Sequence, residues 1–277
     1  DLPLLSEPNL QQQLVEIGYQ GKKLEELEGL SATEKAKMLF IVQDPYTSYY
    51  DAKVVRDFVA LTQKLGFSPI LLPFKPNGKA MHIKGFLARF SKTAKTQAEF
   101  LNRVAKLNVP LVGVDPAIVL SYRDEYKEAL GDSRGDFHVL TAHEWLTNQL
   151  ESNTLQSAVK NIAKSDRTFE WHLFPHCTES TFMPNSPKEW QYIFAQFGQT
   201  LNVEKVGCCG MAGVFGHEVQ NQTMSKEIYD VSWGKKLQGK DPNYCLATGY
   251  SCRSQVKRYE KAILKHPVQA LLEVLNN

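Results

Sequence analysis

The sequence predicts an α/β fold with two similar lobes, each a small, mainly parallel sheet flanked by helices. Short apolar runs, each long enough for one buried strand, alternate with stretches of helical spacing. This order is typical of right-handed βαβ units, and it recurs in the second half of the chain. The predicted parts are an N-terminal helical linker over 1–37, a first lobe over 38–150 and a second lobe over 151–277.

The first lobe begins with Met38–Val42, an apolar run that predicts a strand buried on both faces. Helical and apolar segments then alternate. The expected helices are Ala52–Leu65, Thr93–Leu107 and Ala117–Leu130, and the expected strands are Pro69–Leu72, Pro110–Val114 and Phe137–Leu140.

The second lobe follows a polar stretch, Glu151–Asp166, which we interpret as the boundary between the halves. Its first strand is expected at Phe169–Phe174. The other expected strands are Val203–Val206 and Tyr244–Ala247, and the expected helices are Lys188–Leu201, Gly216–Tyr229, one from about Arg253, and His266–Leu275.

The composition is that of an ordinary soluble globular chain. The 277 residues include 32 Lys and Arg against 30 Asp and Glu, a net charge of +2, which gives no electrostatic reason to expect a nucleic acid partner. No apolar run approaches the ~18 residues of a membrane-spanning helix, and the N-terminus shows no export signal. Because the chain starts with Asp1 rather than Met, we expect a fragment of a longer cytoplasmic protein.

All five cysteines lie in the second half of the chain. An odd number of cysteines in a chain of this length argues against a disulfide scaffold and favours a reducing compartment, where grouped cysteines indicate metal or redox chemistry. The five are Cys177, Cys208, Cys209, Cys245 and Cys252.

Four of these cysteines follow the predicted ends of strands. Ligands of an open parallel sheet collect beyond the carboxyl ends of its strands. We therefore expect Cys177, the Cys208–Cys209 pair and Cys252 to meet there. Cys245 falls at the start or middle of a strand, away from that edge, so we set it apart.

Neighbouring side chains can share one site only on a sharply turned loop, and the glycines around Cys208 and Cys209 allow such a loop. A helix beginning just after Gly210 would direct N–H groups at the sulfurs and lower the pKa values of the thiols.

Four thiolates suit an iron–sulfur cluster or a closed zinc site. The paired C-x-x-C motifs usual for structural zinc are absent, which favours the cluster. A thiol-redox pair at Cys208 and Cys209 is a third possibility, although adjacent cysteines form only a strained ring. His176 and His217 flank the cysteine loops, where a surface role or an outer contact is favoured over metal ligation. Arg253 is a candidate for offsetting the charge of a cluster, and a solvated helix residue is an equal alternative.

Two segments carry a family resemblance. Residues 208–218, CCGMAGVFGHE, and residues 248–255, TGYSCRSQ, resemble the cysteine-rich CCG domain. That domain occurs in heterodisulfide reductases, in the iron–sulfur subunits of glycolate oxidases and in one subunit of glycerol-3-phosphate dehydrogenases. The likeness covers about residues 38–277. It is closest to bacterial FAD-linked oxidases of the D-2-hydroxyglutarate or D-lactate dehydrogenase type, which fuse a flavin domain, a ferredoxin-like domain and a CCG pair.

The resemblance implies that Cys177, Cys208, Cys209 and Cys252 bind an iron–sulfur cluster of the 4Fe-4S type. Many members carry C-x-x-C at the last position, whereas this chain has Cys252 alone, so the cluster type stays open.

The resemblance also implies that the first lobe is a degenerate copy of the domain. In it, residues 44–50, 76–78 and 115–118 stand at the places of the cysteine-bearing segments. Pro76, Asn77 and Ile118 occupy ligand positions, so this lobe is expected to bind no cluster and to serve as a structural partner or docking surface.

The implied function is the C-terminal electron-transfer module of a flavin-dependent D-2-hydroxy acid dehydrogenase. FAD would be bound by an upstream domain, and the partners would be the flavin and ferredoxin-like domains of the same parent chain. The electron acceptor would be a molecule such as quinone, so peripheral association with the inner membrane face is a second option for location. The alternative is a zinc-binding interaction domain without a redox role.

Overall fold

The computed structural model describes residues 3–152, 154–155, 159 and 168–276. It confirms the predicted α/β architecture, with two small parallel sheets flanked by helices. The chain divides into two compact units, Leu5–Ala142 and a second made up mainly of His143–Asn277. Most of the expected boundary stretch, 151–166, lies outside the described residues. The limits of the lobes and the N-terminal linker over 1–37 stay predictions.

The first unit is built on a four-stranded parallel sheet of order β2-β1-β3-β4. The central strand β1 is buried along its whole length, as expected for a strand covered on both faces. The strands are β1 Met38–Val42, β2 Ser68–Leu71, β3 Leu111–Gly113 and β4 Val139–Thr141. The α-helices are Leu10–Glu16, Ala32–Lys35, Pro45–Tyr49, Ala52–Lys64, Lys79–Ile83, Leu87–Ala105, Pro116–Arg123 and Glu125–Leu130, with 3₁₀ turns at Leu24–Leu27 and Gly131–Arg134.

The second unit repeats this plan with three parallel strands of order β6-β5-β7. The first strand of the unit is again central, with the second strand on one side and the third on the other. The strands are β5 Glu170–Phe174, β6 Thr200–Val203 and β7 Cys245–Ala247. The α-helices are Ala142–Glu151, Cys177–Phe182, Ser186–Gln196, Gln222–Tyr229, Lys235–Leu237, Tyr250–Glu260 and Pro267–Asn276, with 3₁₀ turns at Phe215–His217, Val219–Asn221 and Pro242–Tyr244 and a π-helical segment at Asp230–Gly234.

One strand of the second unit lies earlier than expected. The helix predicted to reach Leu201 ends at Gln196, because Gly198 adopts the left-handed conformation, with φ of 69°, that commonly follows a helix. The strand therefore starts at Thr200, and the prediction of a strand over Val203–Val206 was wrong except at its first residue.

Several helix limits also differ from expectation. The helix expected over Ala117–Leu130 is broken at Asp124, and the one expected over Gly216–Tyr229 becomes α-helical only at Gln222. The helix expected from Arg253 begins at Tyr250, which places Cys252 in its first turn.

The core of the second unit extends to the cysteine-bearing segments. Cys209, Cys245 and Cys252 are buried together with Phe174 and Trp233. The positions of these sulfurs are therefore fixed by close packing. Within the described ranges, no helix combines the length and apolar character needed to cross a membrane.

Candidate functional site

Three segments at the carboxyl ends of the second sheet carry the four predicted ligands. Cys177 is the first residue of the helix after β5, and Cys208 and Cys209 lie in the loop after β6. Cys252 lies in the first turn of the helix after β7. Because the three strands are parallel, these segments come to the same edge of the sheet.

The four sulfurs form a connected set. The Cys177 thiol is hydrogen-bonded to Cys208, which is also hydrogen-bonded to Cys209, and Cys209 is in turn hydrogen-bonded to Cys252. Cys209 and Cys252 are buried, at 2% and 1% exposure, whereas Cys177 and Cys208 are half-buried. The set therefore has a closed side and a side open to solvent.

Cys245 stands apart from this set, as the sequence predicts. It is the first residue of β7 and is fully buried. Burial raises the pKa of its thiol to about 11, and the charged groups that act on it are Lys240, Glu204 and Asp241 rather than other cysteines. It is a core residue with an inert thiol.

The electrostatics of the set centre on Cys208. Hydrogen bonds from Cys177 and Cys209, followed by those from the backbone N–H groups of Gly210 and Ala212, hold the pKa of Cys208 well below its usual range. The pKa values of Cys177 and Cys209 are raised, first by their hydrogen bonds within the set and then by burial. Cys208 is therefore the thiolate of the set, and its neighbours donate to it.

The backbone after Cys209 supplies further donors, although no helix begins just after Gly210. The N–H of Gly210 lies 3.3 Å from the Cys208 sulfur, and the N–H of Met211 is directed at Cys209. Gly210 and Ala212 have positive φ angles, 82° and 40°. Successive N–H groups in such a turn form a concave site for negative charge, so the loop performs the role that we assigned to a helix.

Side chains from two helices hold this loop in place. The Ser225 hydroxyl donates to the Gly210 carbonyl at 2.7 Å, and the Gln255 amide donates to the Cys209 carbonyl at 3.0 Å. The same Gln255 amide lies 2.9 Å from the Ser225 hydroxyl. A Cβ atom at Gly210 would lie 2.1 Å from the Ser225 carbonyl oxygen, which explains why glycine stands there.

A π-helical segment fixes the residue before the pair. The Gly207 N–H donates to the Ser232 hydroxyl at 2.7 Å, and the Trp233 indole N–H donates to the Gly207 carbonyl at 3.1 Å. Both partners belong to Asp230–Gly234. The wide turn therefore holds Gly207 through both its N–H and its carbonyl group.

The two histidines named from the sequence make structural contacts. His176 is 6% exposed and accepts a hydrogen bond from the N–H of Thr178 through Nδ1, capping its helix. His217 lies 2.9 Å from the Arg258 guanidinium, and its pKa is lowered by burial and then by that positive charge. Both therefore stabilise segments next to the sulfurs.

Arg253 is buried at 5% exposure. Its guanidinium donates to the carbonyls of Ala247 and Thr248 at 2.9 and 3.0 Å. These bonds join the end of β7 to the helix that carries Cys252. Because its side chain is buried, Arg253 is not the solvated helix residue that we considered.

Sequence reasoning did not identify four side chains that hold the cysteine-bearing segments. They are Glu179, Ser225, Thr248 and Gln255. Thr248 and Gln255 lie within the segment that carries Cys252, and Glu179 follows Cys177 by two residues. Proximity to a cysteine was the only sequence signal for these three, and Ser225 had none, because the partner that each contacts across the site is distant along the chain.

The chemistry of the donor set matches a soft metal centre. The connected set consists of four sulfurs, and thiolates are the ligands that hold iron–sulfur clusters. In the part of the chain that is described, no three His, Cys, Asp or Glu side chains are arranged as ligands of a single metal ion. Cys177, Cys208, Cys209 and Cys252 would be the residues that hold a cluster.

The first unit places oxygen and amide groups at the corresponding strand ends. Asp44, Asn77 and Asp115 follow β1, β2 and β3 and are buried at 2–3% exposure. Burial and then the charge of Asp115 raise the pKa of Asp44 to about 7. Because Pro76 and Ile118 stand where the resemblance expects cysteines, this edge holds no thiol.

Comparison with known proteins agrees with the resemblance in the sequence. No family model matches the chain. The chain is 83% identical over 275 residues to a D-2-hydroxyglutarate dehydrogenase of Haemophilus influenzae, and 58% identical over 275 residues to one of Escherichia coli. These alignments cover 99% of the chain but only 27% and 26% of the relatives. The chain thus spans about a quarter of their length.

The chain also has a more distant similarity to a glycerol-3-phosphate dehydrogenase subunit, a type of protein named in the sequence resemblance. The chain is 22% identical over 241 residues to one subunit of the anaerobic glycerol-3-phosphate dehydrogenase of Escherichia coli, an alignment that covers 83% of the chain and 57% of that protein. The expected similarities to D-2-hydroxyglutarate dehydrogenases and to a subunit of glycerol-3-phosphate dehydrogenase are confirmed.

Proposed function

We propose that this chain is the C-terminal iron–sulfur electron-transfer module of a flavin-dependent D-2-hydroxy acid dehydrogenase, with D-2-hydroxyglutarate as the substrate of the parent protein. One observation carries the proposal. Three segments of a CCG-like lobe bring four of its five cysteines into one hydrogen-bonded set. The similarity to two D-2-hydroxyglutarate dehydrogenases supports the choice of substrate.

The residues of the chain have separate tasks in this proposal. Cys177, Cys208, Cys209 and Cys252 are the ligands of the cluster. The backbone N–H groups of the loop after Cys209 stabilise the negative charge of the thiolates. A bound 4Fe-4S cluster supplies one-electron transfer.

The remaining chemistry belongs to other parts of the parent protein. FAD takes up the electrons of the hydroxy acid in a flavin domain, and a ferredoxin-like domain is the neighbouring partner. The final acceptor is a molecule such as quinone. The chain by itself is therefore expected not to oxidise the hydroxy acid.

Iron and sulfide analysis of anaerobically prepared protein tests the cluster. We expect about four iron and four sulfide per chain for a 4Fe-4S centre, with visible absorbance. A Cys208→Ser/Cys209→Ser double variant loses two ligands and is expected to lose the iron. Cys245→Ser is the matched control, because that thiol lies outside the set, and it is expected to keep the iron.

Two results would contradict the proposal. Full iron loading in the double variant would show that the set does not hold the metal. One zinc per chain without visible absorbance would instead support the zinc-binding interaction domain.

A separate experiment on the parent protein tests the link to the substrate. Reduction of the centre by D-2-hydroxyglutarate is followed as bleaching of its absorbance.

A further inference from the structure

A buried carboxylate joins two of the cysteine-bearing segments. Glu179 is 1% exposed and lies in the helix that begins at Cys177. Its Oε2 accepts a hydrogen bond from the Thr248 hydroxyl, and its Oε1 accepts one from the Ser186 hydroxyl. Since Thr248 lies four residues before Cys252, this carboxylate connects the segment of one proposed ligand to that of another.

Thr248 makes a second bond across the same junction. Its hydroxyl oxygen accepts a hydrogen bond from the N–H of His176 at 2.9 Å. The backbone of Gly249 also approaches the His176 side chain closely, because a Cβ atom on Gly249 would lie 2.2 Å from the His176 ring. One hydroxyl thus contacts the residue before Cys177 and the carboxylate after it.

The cost of burying Glu179 indicates that the junction is specific. A carboxylate in the interior needs hydrogen bonds on its oxygens to offset the loss of hydration. Glu179 has them from two hydroxyls, and His143 Nδ1 lies 3.6 Å from Oε1. Because hydrogen bonds are directional, the bond from Thr248, which joins the two cysteine-bearing segments, fixes their separation more narrowly than apolar packing.

We propose that Thr248 and Glu179 are positioning residues that set the separation between Cys177 and Cys252 for the metal centre. The inference rests on the proposed function, since the centre is the cluster proposed above. Neither residue is a ligand. Both act through the cysteines that they hold.

Three variants of the full chain test this role. Thr248→Val keeps the shape of the side chain but removes the hydroxyl, whereas Thr248→Ser keeps the hydroxyl. Ser186→Ala is the matched control, because it also removes a hydroxyl from Glu179 but lies on a helix that carries no cysteine. Tryptophan fluorescence verifies folding of each variant, since all four tryptophans lie in the second unit.

For Thr248→Val we expect loss of iron to a chelator to be about tenfold faster, in line with the usual effect of removing a contact behind a metal ligand. We also expect an altered electron paramagnetic resonance spectrum and a shifted midpoint potential for the reduced centre. Thr248→Ser and Ser186→Ala are expected to match the wild type in all three measurements. Wild-type behaviour of Thr248→Val would overturn the positioning role while leaving the cluster intact.

Cadmium titration of the metal-free chain separates failure of this role from failure of the proposed function. Cd²⁺–thiolate absorbance increases with the number of thiolates bound to the ion. Thr248→Val is expected to reach a lower plateau than the wild type and Thr248→Ser. A wild type that takes up no iron but shows this difference would disprove the cluster and retain the positioning role, whereas equal plateaus would overturn the role.

Discussion

Cys208 shows how a single residue can carry the charge of a metal-free thiol site. It accepts hydrogen bonds from Cys177 and Cys209, and the loop N–H groups stabilise its negative charge. Cys177 and Cys209 keep their protons because they donate hydrogen bonds within the set, and burial further disfavours a second charge. Thiolate character in the absence of metal is thus concentrated on a half-buried sulfur that solvent can reach.

This arrangement predicts a pH-independent reaction at Cys208. Only the thiolate is alkylated, and the lowered pKa keeps Cys208 ionised throughout pH 5–8. Its alkylation rate by iodoacetamide in the metal-free chain, measured by peptide mass spectrometry, is expected to stay constant over this range. Cys245, whose pKa burial raises to about 11, is expected to stay unmodified.

Cys177→Ser supplies the control for this experiment. The weaker S–H donor is replaced by a hydroxyl of different reach, so the pKa of Cys208 is expected to change and the rate to regain pH dependence. A wild-type rate that rises about tenfold per pH unit, as for an ordinary thiol below its pKa, would contradict the assignment.

Among the elements, the loop after β6 depends most on its backbone conformation. Gly210 combines a φ of 82° with close approach to the backbone of Ser225. Gly239 has a similar φ of 75°, but a Cβ atom there would meet no atom within 4 Å. Substitutions at these two glycines therefore distinguish the effect of backbone strain from the effect of steric overlap.

Alanine substitution at the two positions is expected to have unequal effects on the free energy of unfolding. Gly239→Ala should cost about 1–2 kcal/mol, from left-handed strain alone. Gly210→Ala should cost a further ~1–3 kcal/mol or more, since the overlap forces the backbone to move. Denaturant unfolding followed by tryptophan fluorescence measures both, and equal losses would show that the contact with Ser225 is unimportant.

The elements also show what the sequence could and could not predict. The strand Met38–Val42 was predicted to the residue, because a run of five apolar residues has little alternative in an α/β fold. The helix expected from Thr93 begins at Leu87, where the N-cap residue Phe86 makes no side-chain capping bond that could have marked it. The alternation of strand and helix patterns predicted that the cysteines of the set follow the ends of strands. The bond between Glu179 and Thr248 joins residues 69 positions apart, so no local pattern could predict it.

On the scale of the whole chain, the first three strands of each unit have the same spatial order. The units differ in the side chains that lie at the carboxyl ends of these strands. The second unit presents thiols there, and the first presents the buried pair Asp44 and Asp115. Burial and then the charge of Asp115 raise the pKa of Asp44 to about 7, and burial followed by carboxylate charge raises the pKa values of Tyr46 and Tyr122. The protonated acid is therefore the form that the folded first unit favours.

The stability of the first unit is expected to depend on pH through Asp44. Because its folded pKa lies above the unfolded value of 3.8, its contribution is fully present below about pH 4 and is lost as the pH rises through 7. Asp44→Asn keeps a helix-capping side chain but cannot ionise, so its stability should not fall over this range.

Hydrogen exchange of the β1 amides at pH 4.5 and 7.5 measures this difference in the first unit. The wild type is expected to lose on the order of a few kcal/mol of protection between the two, after correction for intrinsic exchange. Asp132→Asn, at an exposed carboxyl in the same unit, should behave like the wild type. Equal profiles for the wild type and Asp44→Asn would contradict the assignment.

The π-helical segment has a consequence for how this chain tolerates change. A π turn holds one residue more than the α-helix around it, and this segment brings Ser232 to the N–H of Gly207 and Trp233 to the carbonyl group of the same residue. Deleting the exposed Val231 would restore a regular helical turn and rotate both partners away. The hydrogen bonds to Gly207 therefore depend on how many residues the segment contains, so a deletion that spares all four clustered cysteines and every charge is expected to disturb the proposed metal centre.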